Sequence, residues 1–215
     1  LFSKATPPWE SPIPYSPLVD ILDQNIIEPA GKCIEFGSGS SCSSIFMAEK
    51  GFQVDAVDIC ALAIERAQTL PNSNLVNWVQ SDLLDNDLFK TILQAESYDF
   101  VFDMQCFHLL RAINETRAAD IIATALKPGG YALVVVGAVD PSKGSGDSRY
   151  DGVDKPGPPR LTLEELRGPL QSAGLTAVQL YLSRFGPTDA YQHGPASALS
   201  PLAWVGLFKR ISWAP

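Results

Sequence analysis

Apolar positions along the chain change period several times, and each change marks an element. Leu18, Ile21, Leu22 and Ile26 recur at i, i+3, i+4 and i+8, the spacing of one helix face. They predict an amphipathic helix from Ser16 that ends before Pro29. Lys32–Phe36 is a short apolar run that predicts a strand, and Ser41–Lys50 predicts a helix stopped by Gly51. Phe52–Val57 predicts a second strand. Cys60, Ala63, Ile64 and Ala67 share a helical face that stops before Pro71, and Asn74–Gln80 predicts a third strand. Asp85–Gln94 predicts a helix of less regular pattern, and Tyr98–Phe102 a fourth strand. Arg111–Lys127 predicts a single helix with Ala118, Ile121, Ile122 and Ala125 inward, and Pro128-Gly129-Gly130 turns the chain into a fifth, strongly apolar strand, Tyr131–Gly137.

Beyond that strand the pattern loosens. Residues 140–160 are rich in Gly and Pro and read as a long loop. Thr162 and Glu165 have capping-box spacing for a helix that is short or kinked at Gly168-Pro169. Gly174–Ser183 and Leu202–Lys209 predict two late strands, with a loop carrying His193 and no helical pattern between them. They therefore approach as a hairpin, which makes the last strand antiparallel. Residues 1–16 hold Pro7, Pro8, Pro12 and Pro14 with Trp9 and Tyr15, the composition of an extended arm. Strands alternating with helices imply an α/β fold: a doubly wound sheet of seven mostly parallel strands with helices on both faces. No linker divides the chain, so residues 1–215 are expected to form one domain with the arm as a lid.

Composition narrows the partners. The 215 residues are 46% hydrophobic and 19% charged, which suits one globular core. A net charge of −8 disfavours phosphate backbones and anionic membranes, so no nucleic-acid or membrane partner is expected. Cys33, Cys42, Cys60 and Cys106 form no C-x-x-C pair, which reads as reduced thiols in a cytoplasmic protein without a metal site. No run approaches the ~18 apolar residues of a membrane span.

The candidate chemistry lies where strands end. In Glu35-Phe36-Gly37-Ser38-Gly39-Ser40-Ser41-Cys42 the glycines permit a tight turn and close approach to the main chain, at the edge where α/β sheets bind ligands. A dinucleotide fingerprint would need glycine at 42, where Cys42 stands, and no G-K-[ST] makes a Walker loop. A turn without a ligand remains open for this motif alone. Asp58, about 20 residues after the glycine turn, is placed to accept two ribose hydroxyls or to cap a helix. Asp82, with Leu83, is placed to accept from an adenine amino group or, again, to cap. Asp103 ends the fourth strand and leads to Cys106 and His108. Asp103 is placed to orient a cofactor amino group or an acceptor, whereas Cys106 and His108 read first as a core thiol and a helix-entry residue with a satisfied ring. Together these groups describe a pocket for an adenosine with a charged tail and no pyrophosphate.

These residues resemble the class I S-adenosylmethionine-dependent methyltransferases, whose fold is Rossmann-like. The likeness covers residues 16–137 well and the rest loosely. It lies in Glu35-Phe36-Gly37-Ser38-Gly39, Asp58, Asp82-Leu83 and Leu126-Lys127-Pro128-Gly129-Gly130. A narrower resemblance is to the thiopurine S-methyltransferase and tellurite-resistance methyltransferase group, through Pro8-Trp9, the D-x-x-C-F-H run Asp103–His108 and Trp204–Lys209. Ser41 stands where the first motif commonly has its third glycine, which would set the helix start slightly farther from the cofactor. The D/N-P-P-Y motif of nucleic-acid amino methyltransferases is absent, since residues 103–106 read Asp-Met-Gln-Cys.

The resemblance implies an enzyme that binds S-adenosylmethionine, releases S-adenosylhomocysteine and methylates a small-molecule acceptor, a thiol, halide or metalloid. Glu35, Gly37, Ser38, Gly39, Asp58, Ile59, Asp82, Leu83, Asp103 and Trp9 are the expected cofactor residues, and Asp103 and His108 the expected catalytic ones. His108 or His193 would serve as base for an oxygen acceptor. A monomer or homodimer is expected. The rivals are a catalytically inactive adenosine-binding interaction domain and a nicotinamide oxidoreductase; the absent third glycine weighs against the second.

Overall fold

The computed structural model describes residues 11–40, 42–142, 160–185 and 201–212. Trp9, Ser41 and His193, and most of the loops expected at 140–160 and 184–200, lie outside them. The elements run α1 (Ser16–Asp23), β1 (Lys32–Phe36), α2 (Cys42–Glu49), β2 (Gln53–Asp58), α3 (Ala61–Ala67), β3 (Val76–Gln80), β4 (Tyr98–Met104), α4 (Phe107–Ile113), α5 (Glu115–Ala125), β5 (Leu126–Gly137), α6 (Leu163–Ser172), β6 (Leu175–Arg184) and β7 (Leu202–Arg210).

Seven strands form one sheet in the order β3-β2-β1-β4-β5-β7-β6. The first five pair in parallel, and β7 runs antiparallel to both β5 and β6, as the late hairpin pattern predicts. Alternating residues feed two cores, one on each face. Ile34, Phe36, Val134, Val136, Trp204 and Phe208 pack with α5 and α6. Cys33, Val54, Leu133, Val135, Val205 and Leu207 pack with α1 and α2. Helices on both faces are what a parallel sheet needs to bury both surfaces.

Near the amino ends of the strands, buried Asp55 of β2 joins three other strands. Its Oδ1 accepts from Asn77 Nδ2 of β3 at 2.7 Å, and its Oδ2 accepts from the Tyr98 hydroxyl of β4 at 2.6 Å and pairs with Lys32 Nζ of β1 at 3.0 Å.

Four elements differ from expectation. Asp85–Gln94 forms only a π-helical turn, Leu88–Ile92, whose Leu88 enters the core, followed by buried Leu93. Arg111–Lys127 is two helices. Asn114 adopts extended backbone, ends α4, and its Oδ1 accepts the Arg117 N–H at 3.0 Å to start α5. The strand predicted from Tyr131 begins at Leu126. Pro128-Gly129-Gly130 is absorbed as an irregularity, where Tyr98 pairs with Leu126 but Phe100 pairs with Tyr131. Finally, α6 is short but continues through Pro169, held by its complete capping box and by Leu166 and Leu170, buried one turn apart. Among the described residues no helix is long and apolar enough to cross a membrane.

Candidate active site

Parallel register brings four strand ends together. Phe36, the last residue of β1, pairs with Val57 of β2 on one side and Asp103 of β4 on the other, and Asp58 pairs with Gln80 at the end of β3. The chain leaving each end opens on the same edge of the sheet, where open α/β folds bind ligands.

The turn after β1 is set by its glycines. Gly37 and Gly39 have φ of 63° and 56°, in the left-handed region that favours glycine. A Cβ on Gly37 would stand 2.7 Å from Cβ and Sγ of Cys106, so the thiol before α4 fills the space over that glycine. A Cβ on Gly39 would meet nothing within 4 Å among the described residues. Ser38 between them is buried and donates its N–H to the Val57 carbonyl at 3.0 Å. Glu35 is buried and accepts the Ser44 hydroxyl of α2, tying strand to helix below the turn.

Asp58 braces this turn from β2. Its Oδ2 accepts the Gly39 N–H at 2.7 Å and its Oδ1 the Cys60 N–H at 2.8 Å. An ionised carboxylate has about four lone-pair sites, so capacity for two further donors remains. Ile59 beside it is 67% exposed and offers an apolar face. After β3 the arrangement is looser. Asp82 is exposed and its Oδ1 accepts the Leu84 N–H at 2.8 Å, while the Leu83 side chain belongs to the core. Leu83 can therefore offer a ligand only its backbone.

The end of β4 is the most unusual part. Asp103 is 0% exposed; its Oδ1 accepts the N–H groups of Cys106 at 3.1 Å and Phe107 at 2.9 Å, and its Oδ2 has no partner among the described residues. Burial pushes its carboxyl up to about 7, against the pull of those two N–H groups. His108 is 2% exposed, and neither ring nitrogen has a partner among the described residues. The described residues do not supply the satisfied ring that was expected: α4 takes it below the surface, where they offer it nothing to bond. Burial pushes the imidazole down to about 4, so it is neutral at pH 7. Burial, then the charges of Asp103 and Asp58, push the Cys106 thiol well above its ordinary value. Gln105 carries no motif signal, yet it is half-buried with φ of 65°, a conformation costing a non-glycine residue on the order of 1 kcal/mol.

An open groove of about 630 Å³ lies elsewhere, against α4, α5 and α6; it is lined by Arg111, Glu115, Asp120, Glu164 and Glu165 among others and contains none of these strand-end groups.

A glycine turn, a carboxylate ending β2 and polar groups at the ends of β3 and β4 thus share one edge of a Rossmann-like sheet. A model of the methyltransferase domain family matches residues 15–180, and the chain belongs to that family. Probable thiol methyltransferase 2 of Arabidopsis thaliana is 26% identical over 141 residues, 64% of this chain and 59% of that protein. Ribosomal RNA small subunit methyltransferase C of Chromohalobacter salexigens is 29% identical over 128 residues, 58% of this chain and 37% of that protein. The chain thus spans 59% and 37% of the lengths of these two relatives. A structure solved in work on conversion of a disulfide bond into a thioacetal group during echinomycin biosynthesis matches with a TM-score of 0.74 and 22% identity, covering 99% of this chain and 88% of that one.

Proposed function

We propose that the chain is a single methyltransferase domain that transfers the methyl group of S-adenosylmethionine to a small-molecule acceptor, drawn from thiols, halides and metalloids. The observation that carries the acceptor class is the absence of Lys and Arg from all four strand-end segments, residues 35–42, 58–60, 81–83 and 103–108. A polynucleotide acceptor would need cations there to hold its phosphates, and the net charge of −8 adds to the mismatch. The names of the Arabidopsis relative and of the echinomycin structure point the same way, to sulfur. The ribosomal RNA relatives favour a second reading, a base of ribosomal RNA.

The residues present fit the cofactor. Asp58 has spare lone pairs for two ribose hydroxyls, and Ile59 lies beside it as a wall for the adenine. Asp82 and the Leu83 backbone are assigned the adenine edge. Glu35, Gly37, Ser38 and Gly39 shape the turn that admits the tail, and the unpartnered Asp103 Oδ2 is assigned its ammonium group. Trp9 is assigned to the lid of the arm. The cofactor supplies a methyl group on a positive sulfur, ready for direct displacement. What remains for the protein is to align the acceptor and exclude water. His108, neutral at pH 7, is available as base when the acceptor is oxygen; a thiolate or halide needs none.

Two experiments test this. Methyl-release assays with thiophenol, sulfide, iodide and small-subunit ribosomal RNA should show turnover on at least one of the small probes and none on RNA; turnover on RNA alone would reverse the acceptor class. The second concerns pH. Asp103 must be ionised to hold an ammonium group, so S-adenosylhomocysteine affinity measured by calorimetry should rise several-fold from pH 6 to 7.5 and level off above the carboxyl's value of about 7. Asp103→Asn should remove that rise. An identical pH slope in the variant would show that another group is responsible.

A further inference from the structure

Four described residues other than glycine have left-handed backbone: Asn25, Asn72, Glu96 and Gln105. The first three lie in turns that lead into the amino ends of β1, β3 and β4. Gln105 alone stands at the carboxyl edge, in the segment that carries Asp103 and His108. Two local bonds explain its conformation. The Gln105 N–H donates to the Val135 carbonyl at 2.8 Å, prolonging the pairing of β4 with β5, and the very next N–H, that of Cys106, turns back to Asp103 Oδ1. The chain must reverse between a ladder bond and a cap in one residue. Glycine would do this without strain, yet the position carries a long amide side chain.

Gln105 is half-buried, and no hydrogen bond joins its side chain to any described residue. A carboxamide offers two donors and an acceptor without charge. The same segment carries Asp103, whose Oδ2 has no partner among the described residues, and His108, whose ring nitrogens have none there either, and α4 continues with exposed, apolar Leu109. Backbone strain retained beneath an unpartnered polar side chain at a binding edge is more economically explained by a ligand contact than by packing.

We infer that Gln105 is the residue that orients the methyl acceptor at the β4 edge, holding the small-molecule nucleophile in line with the methyl group. This rests on the methyl-transfer reading above. For a thiol acceptor, the proton leaves to solvent as the thiolate forms. Its sulfur then bonds to the methyl carbon. The carbon–sulfonium bond breaks, and its electron pair stays on the departing sulfur as neutral S-adenosylhomocysteine. Gln105 takes no proton; it fixes direction through its NH₂ group.

The test uses the full chain with thiophenol as the probe, comparing wild type with Gln105→Gly and Gln105→Asn. Three quantities are measured: melting temperature without ligand, S-adenosylhomocysteine affinity by calorimetry, and steady-state methyl transfer. In Gln105→Gly, melting temperature should stay level or rise as strain is relieved, and S-adenosylhomocysteine affinity should change less than about twofold. KM for thiophenol should rise about tenfold, the scale of one lost hydrogen bond, with a smaller change in kcat. Gln105→Asn, which keeps the amide and tolerates left-handed backbone, should recover part of the loss. An unchanged KM in Gln105→Gly would overturn the inference, and so would a parallel loss of S-adenosylhomocysteine affinity. Wild type that binds S-adenosylhomocysteine yet fails to methylate thiophenol would overturn it as well. Wild type that does not bind S-adenosylhomocysteine would instead mark failure of the underlying cofactor reading.

Discussion

Asp58→Ala should lower S-adenosylhomocysteine affinity by about a hundredfold or more, measured by calorimetry at pH 7.5, and Asp82→Ala by much less. The difference follows from how each carboxylate is held. Asp58 is fixed by the N–H groups of Gly39 and Cys60, so it meets the ligand already oriented and can accept two hydroxyls at once. Two charge-assisted hydrogen bonds contribute about 1.5–3 kcal/mol each, and about 2.7 kcal/mol already equals a hundredfold. The substitution also removes the brace on the Gly37–Gly39 turn, which adds to the loss. Asp82 is exposed, bonds its own turn through Leu84, and has one ligand contact to lose in solvent. Asp58→Asn should be intermediate, since an amide can keep one acceptor but not both. Equal losses at positions 58 and 82 would contradict the ribose assignment.

Asp55→Ala should lower global stability by about 3 kcal/mol without altering the cofactor residues directly. Asp55 is buried and ties β2 to β1, β3 and β4 through Lys32, Asn77 and Tyr98. Removing it strands the Tyr98 hydroxyl, which is wholly buried, and leaves Lys32 Nζ with its position 4.5 Å from the Tyr98 ring but no carboxylate. Breaking one side of such a network costs about 3–5 kcal/mol for a fully buried pair. Lys32 is partly exposed, which argues for the low end of that range. In a chain of this size the loss corresponds to a fall in Tm of roughly 10 °C. Chemical denaturation with unchanged slope and lower midpoint would locate the effect in the folded state. A loss below about 1 kcal/mol would mean that water replaces the carboxylate and that the strands do not depend on it.

Much of the fold is legible in the order of the residues. The central strands appear as apolar runs because they are buried on both faces, whereas the edge strands β3 and β6 are partly exposed, and the period changes to a helical one between most of them. Asp58, Asp82 and Asp103 are legible as candidates because they follow directly on such runs, and a strand's end is a position in sequence. The boundaries are less so. Asn114 divides one predicted helix in two through a side-chain cap, a contact three residues long that an apolar period does not register. Pro128-Gly129-Gly130 looks like a turn, but pairing with β4 keeps it in the strand.

Which polar groups are free is a matter of three dimensions. Asp82, two residues beyond β3, is exposed and caps its own turn, while Asp103, still within β4, is wholly buried with one oxygen that has no partner among the described residues. His108 and Cys106 look like ordinary residues of a D-x-x-C-F-H run; packing leaves the imidazole neutral and without a partner among the described residues, and presses the thiol onto Gly37. Gln105 has no signal at all in the sequence, because its strain arises from a bond to Val135, thirty residues away. The sequence by itself determined the alternation of elements, the edge on which the site lies and the residues available there, since these depend on local period and on chain order. Only the tertiary structure decided which of those residues are desolvated, already bonded or held ready, since burial and partnership depend on neighbours that are distant along the chain.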